Sequence, residues 1–416
     1  MSDNYNQYDR EQEMERRREE KRRQLREKRR KERERQMKIR RGIVIVLLLI
    51  IVVLIIVLIS SCCRACGKDD GTSSQTSSQT AVENASDTQE NSTEPSDDTA
   101  ATQPSVQETA VKPAIEDDGQ SVGQMDGSVY VWKQKAFELF YGDADMAQPY
   151  AQFINSASQT LAERGITTFS MIVPNHTEFG LPERLKNTDA GVSTESQLDY
   201  INAAYNSMNR NTVIPINPYN KLAEHCNEYI YFNSDHHWTG LGAYYAYAAF
   251  AEQNGLPVLS LADCTEKSVD GFSGTLGNIA ESPLEEDSVH YWVFPYKVNN
   301  TITESDGSVF EMDSCYYEDS DNYGLFLCGD NPLEVITSQS PAANGQKIAI
   351  VHESYGNAFT PYLTYNFSEV YSIDFRSWEG NLGDFCTEHG ISHVIFLNGV
   401  MSSATQIQID SMESII

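Results

Sequence analysis

An uninterrupted apolar run divides the sequence into two parts that cannot share one fold. Seventeen Ile, Val and Leu residues follow one another from Ile43 to Ile59. With Gly42, Ser60 and Ser61, this segment reaches the low end of the length that spans a bilayer as an α-helix. We therefore predict a transmembrane helix over 42–61, with one part of the chain on each side of a membrane.

The distribution of charge predicts which part lies on which side. Residues 1–41 carry 17 of the 31 Lys and Arg residues but only 10 of the 60 Asp and Glu residues, a net charge of +7. The rest of the chain carries −36. Because basic segments beside a span stay in the cytoplasm, we expect a cytoplasmic tail over 1–41 and an extracellular C-terminal domain on a single-pass protein of the cell membrane.

The basic tail does not have the pattern of a nucleic-acid-binding segment. Acidic residues are interleaved with its Lys and Arg clusters at helical i,i+4 spacing, and few aromatic residues are present. This pattern is typical of a solvated charged helix that contacts anionic lipid head groups. We therefore expect no nucleic-acid partner.

A lipoprotein signal is the alternative to the transmembrane helix. Ile59-Ser60-Ser61-Cys62 has the small-small-Cys form of a lipobox, after which the chain would be cleaved and lipidated at Cys62. The 41-residue basic segment is long for a signal peptide, and the apolar run is longer than the common signal-peptide core. Either anchor leaves the domain outside the cell and tethered.

The segment after the anchor is too polar to fold by itself. From Lys68 to Gln124 it consists mainly of Ser, Thr, Gln, Asp and Glu, with 12 acidic and 2 basic residues. Such a segment cannot bury enough apolar surface to offset the entropy lost on ordering. We predict a disordered stalk over 62–125 and a folded domain over 126–416.

The domain contains an odd number of cysteines whose spacing fits no zinc site. They are Cys226, Cys264, Cys315, Cys328 and Cys386. Cys315 and Cys328 flank a predicted β-hairpin and are the best-placed pair if a disulfide forms.

Helical and strand-like patterns alternate through most of the domain. Before residue 258, helices are predicted over 149–164, 194–209, 219–225 and 242–254, and strands over 128–132, 166–173 and 212–216. After residue 344, strands are predicted over 347–351, 370–375 and 393–397, and helices over 358–363 and 382–389. This alternation predicts an α/β fold with a mainly parallel sheet, in which sites gather at the carboxyl ends of strands.

A different pattern occupies about 258–344. Short β-like pieces, including Tyr323 to Leu327, are separated by acidic turns. We predict a β-rich antiparallel insertion that carries substrate contacts or covers the site.

The segment Asp235-His236-His237-Trp238 places a carboxylate, two imidazoles and an indole on consecutive positions. Asp and His are seldom buried without partners and Trp is seldom exposed, so this run indicates a site. An Asp two residues before a His can accept a hydrogen bond from the ring's Nδ1 and leave Nε2 to a serine. The alternative is a polar loop whose Asp caps the following helix.

Ser354 is the serine that fits this arrangement. It lies three residues after the predicted strand 347–351 and precedes Gly356 and a predicted helix, whose N-terminus offers backbone N–H groups to an oxyanion. His352 stands where the Gly-x-Ser-x-Gly elbow needs its first Gly, so an ordinary α/β-hydrolase is disfavoured.

These residues resemble a known family. The segment from Tyr231 to Tyr245 is similar to the DHHW family of extracellular bacterial proteins, which is related to the alginate O-acetylation proteins. Further matches follow in the family's order, namely Val173-Pro174-Asn175, Gly271-Phe272-Ser273-Gly274-Thr275, Glu353-Ser354-Tyr355-Gly356-Asn357-Ala358-Phe359 and Asp374-Phe375-Arg376. His176 is a departure, since the resemblance leads us to expect Lys there.

The resemblance implies a three-layer domain similar to a circularly permuted SGNH hydrolase. In that arrangement Ser354 is the nucleophile, His237 the general base and Asp235 the carboxylate that orients the base. His236 is expected to be structural. The remaining candidates for the oxyanion hole or for substrate binding are Gly274, Asn398, Arg376, Tyr355 and Trp238. Arg376 could instead pair with a carboxylate.

The function implied by this resemblance is a membrane-anchored, extracellular O-acetyltransferase or acetylesterase. It would act on a cell-surface or wall polysaccharide of the bacterial envelope through an acetyl-serine intermediate, with no cofactor and no metal. An integral membrane acyltransferase is the acetyl-donating partner that the resemblance implies.

Two other classes of function stay open. Asp235, His236 and His237 are all metal-ligand types, although adjacent His side chains point in different directions and no His-Glu-x-x-His motif occurs. The other class is a catalytically inactive glycan-binding module. Its sugar-stacking faces would come from Trp132, Trp238, Trp292 and Trp378.

Overall fold

The computed structural model describes residues 110–189 and 191–416. The basic tail predicted over 1–41, the transmembrane helix predicted over 42–61 and the stalk up to residue 109 lie outside these ranges. In the ranges that are described, no helix is both long enough and apolar enough to cross a membrane.

The secondary structure follows the predicted alternation before residue 258 and after residue 344. The strands are β1 Gln124–Asp126, β2 Val129–Trp132, β3 Lys135–Phe137, β4 Thr167–Val173, β5 Val213–Ile216, β6 Thr265–Phe272, β7 Asp287–Val293, β8 Val298–Thr303, β9 Val309–Met312, β10 Leu333–Ser338, β11 Lys347–His352, β12 Glu369–Asp374 and β13 His393–Gly399. The α-helices are α1 Ala147–Ala162, α2 His176–Gly180, α3 Gln197–Asn206, α4 Tyr219–Glu224, α5 Gly240–Gln253, α6 Tyr355–Leu363, α7 Leu382–His389, α8 Val400–Ser403 and α9 Gln406–Glu413.

The central sheet has eight strands in the order β5-β4-β13-β11-β12-β10-β8-β9. The first five run parallel to one another, and the last three add antiparallel pairs beside β12. Two smaller antiparallel sheets are formed by β1 to β3 and by β6 with β7. The predicted α/β fold is therefore confirmed, with a mixed and mainly parallel sheet.

Side chains of the parallel strands alternate between two apolar cores, as the period of two along a strand requires. In β11, Ile348 and Ile350 belong to one core, and Ala349 and Val351 belong to the other. Helices α4, α5 and α6 cover the first face, and α1, α3, α7 and α9 cover the second. The sheet therefore lies between two helical layers, and the carboxyl ends of its parallel strands share one edge.

The β-rich insertion predicted over 258–344 differs in detail from the expectation. β6 and β7 form a separate ribbon, but β8, β9 and β10 join the central sheet. The prediction of a strand at Tyr323 to Leu327 is wrong, because Tyr323–Leu325 forms a 3-10 helix. Asn322 Oδ1 accepts the Gly324 N–H at 2.8 Å, and Leu327 has a left-handed φ of 52°. Local capping therefore outweighs the apolar pattern in this stretch.

The disulfide considered between Cys315 and Cys328 is not formed. Cys315 is a buried free thiol. Burial raises the pKa of this thiol, so it stays uncharged and packs as a small apolar side chain.

Residues 110–125, which we name the strap, lie along the domain although the sequence assigned them to the stalk. Arg184 donates from Nε and Nη2 to the two carboxylate oxygens of Asp117 at 2.6 and 2.7 Å. Its Nη2 also donates to the Ser121 carbonyl oxygen at 2.6 Å. Trp132 Nε1 donates to Ser121 Oγ at 2.9 Å.

Asn227 holds the preceding part of the strap. Its Nδ2 donates to the Ala114 carbonyl oxygen at 2.7 Å, and its Oδ1 accepts the Glu116 N–H at 2.9 Å. The domain boundary expected at Asp126 is therefore corrected to an earlier position. The physical reason is that backbone groups of this polar segment find fixed side-chain partners, which composition does not reveal.

Removal of the strap should destabilise the domain. We expect a fragment of residues 126–416 to be less stable than a fragment of residues 102–416, because the Arg184 hydrogen bonds and ion pair are lost. Chemical denaturation of both fragments measures this difference. Arg184→Ala should destabilise the longer fragment and leave the shorter one nearly unchanged, and an equal loss in both would contradict the role given to the strap.

A buried carboxyl group on β10 adds a pH dependence to the stability. Glu334 is 2% exposed, and its oxygens accept from Asn300 Nδ2 at 2.5 Å and Asn331 Nδ2 at 2.9 Å. Burial raises the pKa of Glu334 to about 8, against the opposite effect of the two amide donors. Glu334 is therefore protonated in the folded protein at neutral pH, while it is ionised in the unfolded chain.

This difference predicts that Glu334 contributes less to stability as the pH rises. Its contribution is complete below the pKa of the unfolded chain, about 4.3, and is lost as the pH rises toward about 8, by about 1.4 kcal/mol for each pH unit. Denaturation at several pH values should show that the free energy of unfolding of Glu334→Gln rises relative to that of the native protein between pH 5 and 8.

Glu369→Gln is the matched control for this measurement. Although burial opposes it, hydrogen bonds from Tyr371 and Lys347 lower the pKa of Glu369 below its usual value. The stability that Glu369 contributes is therefore present above the pKa of the unfolded chain and lost only in acid. The difference in stability between Glu369→Gln and the native protein should then be constant between pH 5 and 8. Parallel pH profiles for both variants would show that Glu334 is not protonated.

Candidate active site

The loop from Asn233 to Thr239 carries the Asp and His residues singled out in the sequence. Its first residues are fixed by Asp287, which is 1% exposed. Asp287 Oδ1 accepts the Asn233 N–H at 2.7 Å, and Oδ2 accepts the N–H and the hydroxyl of Ser234 at 2.7 and 2.5 Å. A buried carboxylate with several hydrogen bonds therefore holds the start of the loop in place.

The residue that caps the helix after this loop is Thr239. Its Oγ1 accepts the Gly242 N–H at 3.3 Å in the first turn of α5. The alternative in which Asp235 caps this helix is therefore wrong. The Asp235 carboxylate is engaged elsewhere.

Asp235, His237 and Ser354 form one hydrogen-bonded series. His237 Nδ1 lies 2.5 Å from Asp235 Oδ1, and His237 Nε2 lies 2.7 Å from Ser354 Oγ. Because a carboxylate only accepts hydrogen bonds, Nδ1 carries the ring proton and Nε2 accepts from the serine hydroxyl. Asp235 is 2% exposed and His237 is 5% exposed, whereas Ser354 is half-buried. This geometry can pass the Ser354 proton to the imidazole while Oγ stays within reach of a ligand.

The position of Ser354 follows from the sheet. It lies between the carboxyl end of β11 and the start of α6, with parallel strands on both sides of β11. The tight turn requires Gly356, because a Cβ there would lie 2.2 Å from His352 Cγ. His352 is itself buried beneath the turn, with Nε2 at 2.6 Å from Ser372 Oγ.

The second carboxylate oxygen of Asp235 is held by the loop from Gly271 to Gly277. Thr275 donates to Asp235 Oδ2 from its backbone N–H at 2.8 Å and from its hydroxyl at 3.2 Å. This approach requires Gly274, because a Cβ on Gly274 would lie 2.2 Å from Asp235 Cβ. Asp235 is thus fixed by two loops that are distant in sequence.

The pKa values at the site follow from burial and from these contacts. Burial alone would raise the pKa of Asp235, but the hydrogen bond and charge of His237 lower it well below its usual range. Burial and the neighbouring His237 lower the pKa of His236 to about 4. At neutral pH the site therefore holds an ionised Asp235 beside an uncharged His236.

His236 connects the two loops. Its Nδ1 lies 2.6 Å from Thr275 Oγ1, so the Thr275 hydroxyl accepts from His236 and donates to Asp235. Its carbonyl oxygen accepts the Tyr355 hydroxyl at 2.5 Å. These contacts agree with a structural role for His236.

Tyr323 covers the face of His237. The two rings are stacked, with centroids 3.9 Å apart and planes 6° apart. Tyr323 comes from the β-rich segment 258–344, which therefore lies against the candidate site as expected. The aromatic face restricts the imidazole to the orientation that serves both hydrogen bonds.

Several of the candidate substrate residues are occupied in other ways. Trp238 is fully buried and donates from Nε1 to the Tyr355 carbonyl oxygen at 3.0 Å, so the sequence-based suggestion that it contacts substrate is corrected. Tyr355 is 6% exposed and joins α6 to the loop of Asp235. The Gly274 N–H donates to Ser234 Oγ at 3.0 Å, which excludes it as an oxyanion donor in this conformation.

Asn398 and Arg376 lie at the carboxyl ends of β13 and β12, the two strands that flank β11. Asn398 is fully buried, its Oδ1 accepts the Tyr150 hydroxyl at 2.9 Å, and its Nδ2 has no partner among the described residues. Arg376 donates from Nε and Nη2 to Asp374 at 2.8 and 2.5 Å. Arg376 therefore pairs with a carboxylate, which was the alternative that the sequence left open.

Sequence reasoning missed two acidic residues beside the series. Glu353 is 7% exposed, accepts the Gly399 N–H at 2.7 Å and the Tyr355 N–H at 3.0 Å, and lies 3.3 Å from Ser354 Oγ. Glu138 is half-buried after β3, where burial raises its pKa and the charges of His237 and Asp235 act on it. Glu353 was visible inside the matched motif, whereas nothing in the sequence placed Glu138 near Ser354.

The donor atoms that a metal would need are already used in hydrogen bonds. Asp235, His236 and His237 have ligand-type atoms within 4.8 Å of one another. The facing atoms of His237 and Asp235, however, bond to each other, and His237 Nε2 bonds to Ser354. Metal binding would require these hydrogen bonds to break, so the residues suit proton transfer better than coordination.

Substitution of Gly274 should disturb the Asp235 carboxylate. We expect Gly274→Ala to weaken the hydrogen bond between His237 and Asp235 and to destabilise the domain by about 1–3 kcal/mol, because the added methyl group overlaps Asp235. Proton NMR of the strongly hydrogen-bonded Nδ1 proton, together with thermal unfolding, measures both effects.

Gly277→Ala is the control in the same loop. Its added Cβ would lie 2.9 Å from Ser273 Oγ, which is the movable end of a side chain. The Nδ1 proton signal should therefore survive in Gly277→Ala and be lost in Gly274→Ala and Asp235→Asn. Retention of the signal in Gly274→Ala would show that the close approach does not fix the carboxylate.

Comparison with protein families identifies one match over most of the chain. A family model described as DHHW protein matches residues 74–373. No curated protein is a significant sequence match.

Three solved structures are similar to this chain to different extents. A DHHW family protein from Eubacterium siraeum has a TM-score of 0.62 and 27% identity, over 71% of this chain and 99% of that chain. Bacillus cereus PatB1, also solved with a sulfonyl adduct, has a TM-score of 0.56 and 19% identity, over 68% of this chain and 99% of that chain. The O-acetyltransferase domain of Pseudomonas putida AlgJ has a TM-score of 0.41 and 14% identity, over 69% of this chain and 99% of that chain. The first two share the fold of this domain.

Proposed function

Because the chain belongs to the DHHW family, we propose that it is a serine-dependent O-acyltransferase or esterase that acts on acetyl esters. The observation that carries this proposal is the 2.7 Å contact between His237 Nε2 and Ser354 Oγ, with Asp235 on the opposite ring nitrogen. Ser needs a neighbouring base to attack a carbonyl, and the base needs a carboxylate that fixes its tautomer.

The first half-reaction transfers the acetyl group to the enzyme. His237 Nε2 takes the hydroxyl proton as Ser354 Oγ attacks the ester carbonyl carbon, and the carbonyl π electrons move to its oxygen. When this tetrahedral species collapses, the bond to the leaving alcohol breaks, and the imidazolium returns the proton to that alcohol. Acetyl-Ser354 remains, and Asp235 stabilises the positive ring in the meantime.

The second half-reaction runs through the same groups. His237 removes a proton from an acceptor hydroxyl, the acceptor oxygen attacks acetyl-Ser354, and Ser354 leaves with the proton from His237. A glycan hydroxyl as acceptor makes the protein a transferase, and water makes it an esterase. Both outcomes use one covalent intermediate.

The negative oxygen of the tetrahedral species needs a donor. Asn398 Nδ2 is the donor we propose, because it is buried without a partner in the described residues and Asn398 adjoins Gly399, which bonds to Glu353. A preorganised amide in a buried site stabilises developing charge more than water does. This assignment follows the expectation for Asn398, and Gly274 is not proposed.

We also propose the setting in which this reaction occurs. The domain would be an SGNH-hydrolase-like, circularly permuted unit outside the cell, held by a single helix over 42–61. Its acceptor would be a cell-surface or wall polysaccharide, and an integral membrane acyltransferase would supply the acetyl group. Support comes from the charge asymmetry, from the apolar run and from the family.

The glycan-binding module is the weaker candidate. Stacking on a sugar requires an accessible aromatic face, but Trp132, Trp238 and Trp292 are each less than a tenth exposed. These residues contribute to the cores and hairpins of the domain. Of the four tryptophans considered, Trp378 alone is partly exposed, and it packs edge to face with Phe385. One partly exposed ring offers little stacking surface, so this function has the weaker support.

The enzyme function is tested by acetyl-ester turnover. The fragment 102–416 should release the alcohol from a neutral aryl acetate, and Ser354→Ala should lower kcat/KM by at least about a thousandfold because the covalent step is lost. A chelator should leave turnover unchanged. An inert fragment, or activity that survives in Ser354→Ala, would refute the proposed mechanism.

A further inference from the structure

Arg376 is held between two carboxylates at the carboxyl edge of the sheet. Beside its two bonds to the buried Asp374, its Nη2 lies 3.1 Å from Asp330 Oδ2. Asp330 is half-exposed, and Arg376 is about one-third exposed. One guanidinium between two carboxylates gives this group a formal net charge of −1.

This group borders the candidate active site. Asn357 Nδ2 donates to Asp330 Oδ1 at 2.9 Å, and Asn357 stands in the first turn of α6, directly after the turn of Ser354. The charges of Asp330 and Arg376 also act on His236, which adjoins the base. Asp330 and Arg376 therefore lie beside the turn that carries Ser354.

We infer that Asp330 determines the charge specificity of the site, because it gives the exposed side of this group a net negative charge and so disfavours anionic substrates. The inference rests on the proposed function and names the class of substrate, which is an uncharged or cationic ester or glycan. Asp374 already pairs with Arg376 beneath the surface, so the half-exposed Asp330 supplies the excess negative charge that a ligand meets. The net negative charge of the chain outside the basic tail also disfavours anionic ligands.

The test compares three aryl acetates that are neutral, carboxylated and quaternary-ammonium substituted. The native fragment 102–416 and Asp330→Asn are assayed at low ionic strength, and each charged ester is expressed as a ratio of kcat/KM to the neutral one. Intrinsic ester reactivity cancels when a ratio is compared between the two proteins. In Asp330→Asn we expect the anionic ratio to rise by at least about fivefold and the cationic ratio to fall, with both shifts shrinking at high salt.

Asp384→Asn is the matched control. Asp384 also pairs with an arginine, since Arg164 Nη1 lies 2.7 Å from its Oδ1, but it stands on α7 in the helical layer on the other face from α6. The net charge changes by the same amount, so a shift in both variants would reflect the overall charge and overturn the inference. Ratios that stay constant in Asp330→Asn, or a uniform loss with all three esters, would also overturn it.

Failure of the proposed function gives a different result. If the native fragment hydrolyses none of the three esters, the enzyme function is refuted, and the specificity is then read from binding. Calorimetry with oligogalacturonate and with its fully methyl-esterified form provides anionic and neutral ligands of equal length. Asp330→Asn should gain affinity for the anionic ligand relative to the neutral one, and an unchanged preference would contradict the inference.

Discussion

The buried carboxylate of Asp235 is the constraint on which the candidate site depends. An ionised group at 2% exposure is costly unless every lone pair is used, and here His237, Thr275 and the backbone of both residues surround it. The same hydrogen bonds fix the tautomer of His237 and aim its second nitrogen at Ser354. The Asp235 carboxylate, which needs partners because it is buried, is therefore also the group that orients His237.

The sheet explains how residues so far apart in sequence meet. β11 delivers Ser354 and Glu353 at the carboxyl edge, β13 delivers Asn398 beside them, and the loop of Asp235 is carried over this edge. Asp287, from the start of β7, pins that loop through buried hydrogen bonds. The end of β11 thus holds Ser354, and a loop fixed by buried hydrogen bonds holds Asp235 and His237, which is what short hydrogen bonds between side chains require.

Much of the fold and part of the site could be predicted from the sequence. The strand at 347–351, the helix before Gly165 and the Asp-x-His spacing carry strong local patterns, and the family motifs linked Ser354 to the loop of Asp235. The contacts of Asp287, Glu138 and the strap have no local signal, since they arise only when distant segments pack. The expected substrate contact of Trp238 was wrong for the same reason. From sequence, an aromatic residue beside a site can be a ligand-binding residue or a core residue, and Trp238 belongs to the core.

The most direct test of the central claim is to map the residue that a sulfonyl fluoride modifies, by intact-protein and peptide mass spectrometry on the fragment 102–416. PatB1, which shares the fold, has been solved with a sulfonyl adduct. We expect one adduct, on Ser354, that forms far more slowly in His237→Asn because the base is missing. An adduct on another residue, or equal labelling of both proteins, would contradict the activation of Ser354 by His237.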